Sequence, residues 1–238
     1  MRIRLNRAQR IEPFVGGVPP FVEKAHAAGS SSFIVIGMNN TDQGGFTLYE
    51  LMVTLAIVGI VLAFGVPNMR QYNQNARMTS AANDLHAAFH LARSESTRAK
   101  TNITLCASSN STTATPTCTG TWNQGYIVFV DSDGDIQRAG ATENILRAQP
   151  AMDDGVTLKV EDNANFFGFA ATGLGRGDVG SNVALTRVVM CDDRGNIRAA
   201  GGNSAARVFV ATPLGRATIQ RDIDLIQDVL DDLGETCP

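Results

Sequence analysis

Glu50 lies near the start of the apolar run "GGFTLYELMVTLAIVGIVLAFGVPN", residues 44–68. It is the one charged side chain between positions 46 and 67, and the sixteen residues 51–66 after it carry no charge. A carboxylate in apolar surroundings is costly unless a cation meets it, and the run holds no Lys or Arg. Directly before it stand Gly44 and Gly45. Cleavage between Gly45 and Phe46 would create an α-amine that is cationic at neutral pH, about one helical turn from Glu50. That amine can neutralise Glu50 of its own chain or of a neighbour, and between chains the pair would set axial register. The chemistry implied is one processing cut followed by one charge pair.

Other reactive groups carry weaker patterns. Asp131, Asp133 and Asp135 have the spacing of the first calcium ligands of an EF-hand. However, Ile136 stands where that loop requires glycine, and Thr142 where its closing glutamate belongs. The preferred reading is a tight hairpin turn supplied by Asp133-Gly134. His86 and His90 share a helix face without a third ligand, so no metal is expected there. "GLGRG" follows no strand-to-helix pattern and is no phosphate loop. No serine, cysteine or carboxylate constellation supports an enzyme, and no cofactor is expected.

The elements that position these groups follow from pattern. The chain of 238 residues has net charge -3, which gives no basic excess for a nucleic-acid binder. Residues 1–45 hold five basic and three acidic residues, against fifteen and twenty from Phe46 onward. The apolar run is just long enough to cross a bilayer. Basic residues before it (Arg2, Arg4, Arg7, Arg10, Lys24) place the N-terminus in the cytoplasm and the bulk of the chain outside. Beyond Pro67, which should bend or loosen the helix, Met78, Ala82, Leu85, Phe89, Ala92, Ser96 and Ala99 recur at steps of four and three, one face of a helix. Strands are expected in 101–107 and 125–131 and around 145–148, 156–160, 166–170, 185–190 and 207–211. Ile223, Ile226, Val229 or Leu230, and Leu233 fit a short C-terminal helix with an acidic outer side. A long helix on antiparallel sheet makes an α+β domain.

Residues 44–68 resemble the processing site and N-terminal helix of type IV pilins and type II secretion pseudopilins. In that family a prepilin peptidase cuts after the glycine and N-methylates the new phenylalanine, roles that fall here on Gly45 and Phe46, with Glu50 as the family's glutamate. Tyr49 departs from the usual aliphatic residue. "RMTSAANDLHAAFHLARSESTRA", "ITLC", "WNQGYIVFVDSDGD", "CDDRG" and "ARVFVATPLGR" resemble the GspH/FimT branch, in this order across most of residues 44–218. The resemblance implies a leader over 1–45, a transmembrane helix over 46–67 and a periplasmic or extracellular pilin-like domain over 68–238. Met38 offers a second start, with the leader "MNNTDQGG". Length favours Met38 and topological charge favours Met1.

The implied role is a minor pilin of a type IV pilus, with a type II secretion pseudopilin as the alternative. Its implied partners are the peptidase, other pilins and the inner membrane. Some FimT-like relatives bind DNA through a basic last loop. Here "TPLGRATIQR" offers Arg216 and Arg221, with Arg207 close in sequence, while the acidic tail opposes phosphate, so DNA binding is expected to be weak. The four cysteines fit an oxidising compartment and permit three pairings. Cys106–Cys118 closing a Ser/Thr-rich loop and Cys191–Cys237 holding the C-terminal helix are the expected links. A zinc site is disfavoured because no CxxC pair exists.

Overall fold

The structure, a computed structural model, describes residues 45–138, 142–161, 164–199 and 201–238. The leader, Met38 and Gly44 lie outside the described residues. The chain divides at Thr47. Gly45, Phe46 and Thr47 are exposed and take no regular structure.

Helix α1, Leu48–Ala99, has 52 residues and so extends about 78 Å. Pro67 lies inside it without ending it. One residue on, the Asn68 side-chain amide donates to the Phe64 carbonyl at 3.0 Å. Every residue from 48 to 73 is exposed. From there on α1 becomes the spine of a folded head, with Met78, Ala82, Leu85, Ala88, Phe89, Ala92 and Ser96 buried. The expected stripe is therefore present with two changes: Ala88 joins it, and Ala99 at the helix end is exposed. Lys100 follows at φ 52, the left-handed conformation that commonly stops a helix.

Among the described residues, eight strands form two four-stranded antiparallel sheets. They are β1 Ile103–Ala107, β2 Tyr126–Val130, β3 Ile145–Gln149, β4 Thr157–Val160, β5 Phe166–Phe169, β6 Arg187–Cys191, β7 Arg207–Ala211 and β8 Ala217–Gln220. The first sheet runs β3-β2-β1-β5 and the second β4-β6-β7-β8. Strand β8 was not expected, because "TPLGRATIQR" reads as a loop from its Pro and Gly. A second helix, α2, covers Ile223–Leu233. Asp222 caps it by accepting from the Asp224 and Leu225 amides at 3.0 Å, and Gly234 closes it in the left-handed region.

Strand alternation explains the packing. On the second sheet, Val188, Met190, Phe209 and Ala211 share a core with α1. Their neighbours Val189, Cys191 and Val208 meet Ile226, Val229 and Leu230 of α2 on the opposite face. On the first sheet, Ile103, Leu105, Tyr126 and Val128 face α1. Cys106, Ile127, Phe129 and Phe166 face outward under Ile136 and Ala184 from loops. Phe89 sits where both sheets meet α1. Its ring centroid lies 4.7 Å from Phe167, 4.8 Å from Phe169 and 5.6 Å from Phe209.

Candidate functional site

Glu50 lies in the first turn of α1, where the helix dipole favours an anion. The helix starts at Leu48, two residues beyond Phe46. Around Glu50 the surface is apolar and bare. Leu48 is 76% exposed, Leu55 62%, Ile60 61% and Phe64 71%, and no described residue of the head covers this half of α1. Among the described residues one helix is long and apolar enough to cross a membrane, with none of its apolar window buried. A soluble core helix of that composition would be covered. This surface needs lipid or other helices.

Polar ties begin where the bare half ends. Arg194 reaches Asn75 at 2.9 Å, Arg77 donates to the Asp154 carbonyl at 2.9 Å, and Arg147 pairs with Asp84 at 2.9 Å. Both expected disulfides are formed, Cys106–Cys118 and Cys191–Cys237. The second ties the C-terminal tail to the end of β6, beside ion pairs from Lys159 to Glu235 (2.7 Å) and from Arg187 to Asp232 (2.8 Å). Arg187 also pairs with Glu161, and this contact holds the Glu161 carboxyl below its ordinary range.

The three arginines weighed for DNA are not gathered. Arg207 is buried beneath α1, 5% exposed, and donates to the Thr79 hydroxyl at 2.8 Å. Burial and the nearby Arg221 and Arg194 lower its pKa to about 10. Arg221 donates to the Ser204 carbonyl at 3.0 Å. Arg216 is exposed on the turn between β7 and β8, at the far end of the hairpin. The pairing Val208↔Gln220 through Ala211↔Ala217 puts the ladder between them. Arg176 is taken up by Asp131 at 2.9 Å. The acidic tail is partly committed as well, through the Asp222 cap and the Asp232 and Glu235 pairs.

His86 and His90 touch, Nε2 to Nε2 at 3.2 Å, and burial, His86 and Arg93 lower the His90 pKa. No third ligand joins them among the described residues. The acidic loop departs further from expectation. Fourteen residues, 131–144, connect β2 to β3, so no tight Asp133-Gly134 hairpin forms. Asp131 and Asp133 are brought together with Glu143 instead of Asp135, with a carboxylate oxygen of each within 4.8 Å of the others. Glu143 was missed because the EF-hand template puts its closing glutamate at position 142, one residue earlier.

A membrane-spanning helix that continues as the spine of an α+β head defines a pilin or pseudopilin. The family described as type II transport protein GspH matches residues 81–215, more than half of the chain, and the chain belongs to it. The prokaryotic N-terminal methylation motif matches residues 40–66. Over 42 residues the chain is 48% identical to the type IV major pilin protein PilE of Neisseria gonorrhoeae, covering 18% of this chain and 25% of that protein. Over 45 residues it is 40% identical to a fimbrial protein of Pseudomonas aeruginosa, covering 19% of this chain and 29% of that one. The chain thus matches less than a third of the length of these curated relatives. Among solved structures, the type IV minor pilin FimU of Pseudomonas aeruginosa is similar at 20% identity and TM-score 0.41, over 63% of this chain and 92% of that one. The first half of α1 anchors the protein in the inner membrane, with the head on the periplasmic side.

Proposed function

We propose that the protein is a minor pilin, cut by a prepilin peptidase between Gly45 and Phe46, N-methylated at Phe46 and built into a type IV pilus. One observation carries the reading. The apolar half of α1 is bare along its whole length yet continuous with the core helix of the head, so lipid before assembly and neighbouring helices after it supply its covering. Glu50 then meets the methylated amine of Phe46 from its own or an adjacent subunit, and methylation leaves that amine's charge in place. The leader is residues 1–45 or begins at Met38, the membrane segment is 46–67, and the outer domain is 68–238. The fimbrial and pilin names carried by the relatives of the N-terminal segment support the pilus.

The family's description as a type II transport protein favours a second reading, a pseudopilin of a type II secretion apparatus. Deletion separates the two: loss of surface fibres supports the pilus, and loss of protein export with fibres intact supports the pseudopilus. Processing is tested by mass analysis of protein from assembled filaments, whose first residue should be methylated Phe46. An N-terminus at Met1 or Met38 overturns it. Glu50→Ala should still insert and be cut, but should enter filaments about tenfold less, since the amine has lost a charge partner. Wild-type incorporation would refute the pair.

A further inference from the structure

We propose that the β2–β3 loop holds a calcium ion between the carboxylates of Asp131, Asp133 and Glu143. Asp131 is 0% exposed and Glu143 1%, while Asp133 stands at the surface. The carboxylate oxygens these three offer lie within 4.8 Å of one another. Two oxygens bound at about 2.4 Å on opposite sides of a calcium ion are about 4.8 Å apart, so the spacing fits one shared ion.

The independent sign is an orphaned oxygen. Asp131 Oδ2 accepts from the Thr104 hydroxyl at 2.7 Å and from Arg176 Nη1 at 2.9 Å. Asp131 Oδ1 is equally buried and meets no hydrogen-bond donor. A buried carboxylate oxygen without a partner is costly, and this one belongs to the side chain that gathers with Asp133 and Glu143. Arg176 brings one positive charge, and its Nη2 donates to the Gly134 carbonyl at 2.5 Å. Arg138 lies on the same loop but gives its Nε proton to the backbone carbonyl of Glu143 at 3.1 Å. Asp131, Asp133 and Glu143 bring three carboxylates together at this point, a donor set to which a divalent cation is a natural complement.

The donor set selects the ion. Carboxylate oxygens without sulfur or imidazole suit hard cations. Calcium tolerates an irregular shell completed by water, whereas magnesium demands a near-octahedral one. The backbone departs from an EF-hand loop less than its residues suggest. Ile136, at the position where that loop uses glycine, takes φ 69 and buries its side chain under the outer face of the first sheet. Bound calcium would fasten this loop to β1 through Asp131 and Thr104, and to the Arg176 loop through their shared carboxylate. It would stiffen one outer face of the head, whichever apparatus the head serves.

Calcium itself is the probe. Full-length protein in detergent, stripped with chelator and dialysed against calcium chloride, should bind one ion per chain. At calcium a hundredfold above Kd, its Tm should rise by about 5–10 °C over the chelated form, with magnesium giving less. Glu143→Gln should abolish the shift but risks the fold, because Glu143 also accepts from the Ser132 amide at 3.0 Å. Exposed Asp133→Asn is the second variant, expected to keep the chelated Tm and weaken calcium binding at least tenfold. Absence of bound calcium at millimolar concentration, or an Asp133→Asn protein that binds like wild type, overturns the site.

Discussion

Phe89→Ala tests the packing that makes α1 one element with two environments. Phe89 is 0% exposed and its ring touches aromatic rings from both sheets. Truncation removes roughly 120 Å² of buried apolar surface, about 3 kcal/mol at 25 cal/mol per Å². Its three ring contacts add about 1 kcal/mol beyond area. The sum, about 4 kcal/mol, lies within the usual range for a buried phenylalanine cut to alanine. All buried core residues lie at Met78 or beyond, so a soluble fragment of residues 70–238 keeps the whole core. In urea, with a slope of about 2–3 kcal/mol per M, its midpoint should fall by about 1.5–2 M at unchanged slope. Leu214→Ala, at a site 64% exposed, should change stability by less than about 0.5 kcal/mol. A Phe89→Ala loss below about 1 kcal/mol at unchanged slope would show that α1 does not hold the two sheets together through this ring.

Removing Cys191–Cys237, whose cysteines are 46 residues apart, should cost about 4 kcal/mol by loop entropy, against about 3 for Cys106–Cys118 with 12. Urea midpoints of the two double-serine variants check the order. The folded pKa of His90 lies below the ordinary 6.5, so the unfolded chain binds more protons just below pH 6.5. Stability should therefore fall as pH drops through that window, and His90→Gln should flatten the slope in pH-dependent melts. DNA binding by the head should be weak and strongly salt-dependent, because Arg216 stands apart from Arg207 and Arg221. A gel shift that stays tight at physiological salt and collapses in Arg216→Gln would contradict that geometry.

What the sequence made legible was local and periodic. The α1 stripe, seven of the eight strand sites and the amphipathic α2 each follow from apolar spacing within one segment. Division of the strands into two sheets was not legible. The two sheets are joined by Leu185 donating its amide to the Phe166 carbonyl at 2.6 Å, and by Asn123, whose side chain bonds both polar groups of Leu158 at 2.6 and 3.1 Å. Neither contact has a periodic signature. Glu143 escaped for a different reason. A template with fixed spacing asks for one residue, whereas a loop anchored on two strands brings in whichever carboxylate the strand register places opposite.

Arg207 is the instructive case, because the information was present and was outweighed. Side chains in a strand alternate between faces, so in "RVFVA" Arg207 belongs with Phe209 and Ala211. Those two residues are the ones that pack on α1. Counting cations along the chain grouped Arg207 with Arg216 and Arg221 as a phosphate surface. Counting by twos along β7 turns it inward beneath α1, to the hydroxyl of Thr79. Arg221 lies one residue beyond β8, and antiparallel pairing thus brings Arg207 and Arg221 to one end of the hairpin and carries Arg216 to the other. A basic surface on this face of the hairpin would require cations among Val208, Val210, Thr218 and Gln220, of which α2 buries Val208 and half-covers Val210, leaving only the uncharged Thr218 and Gln220 exposed.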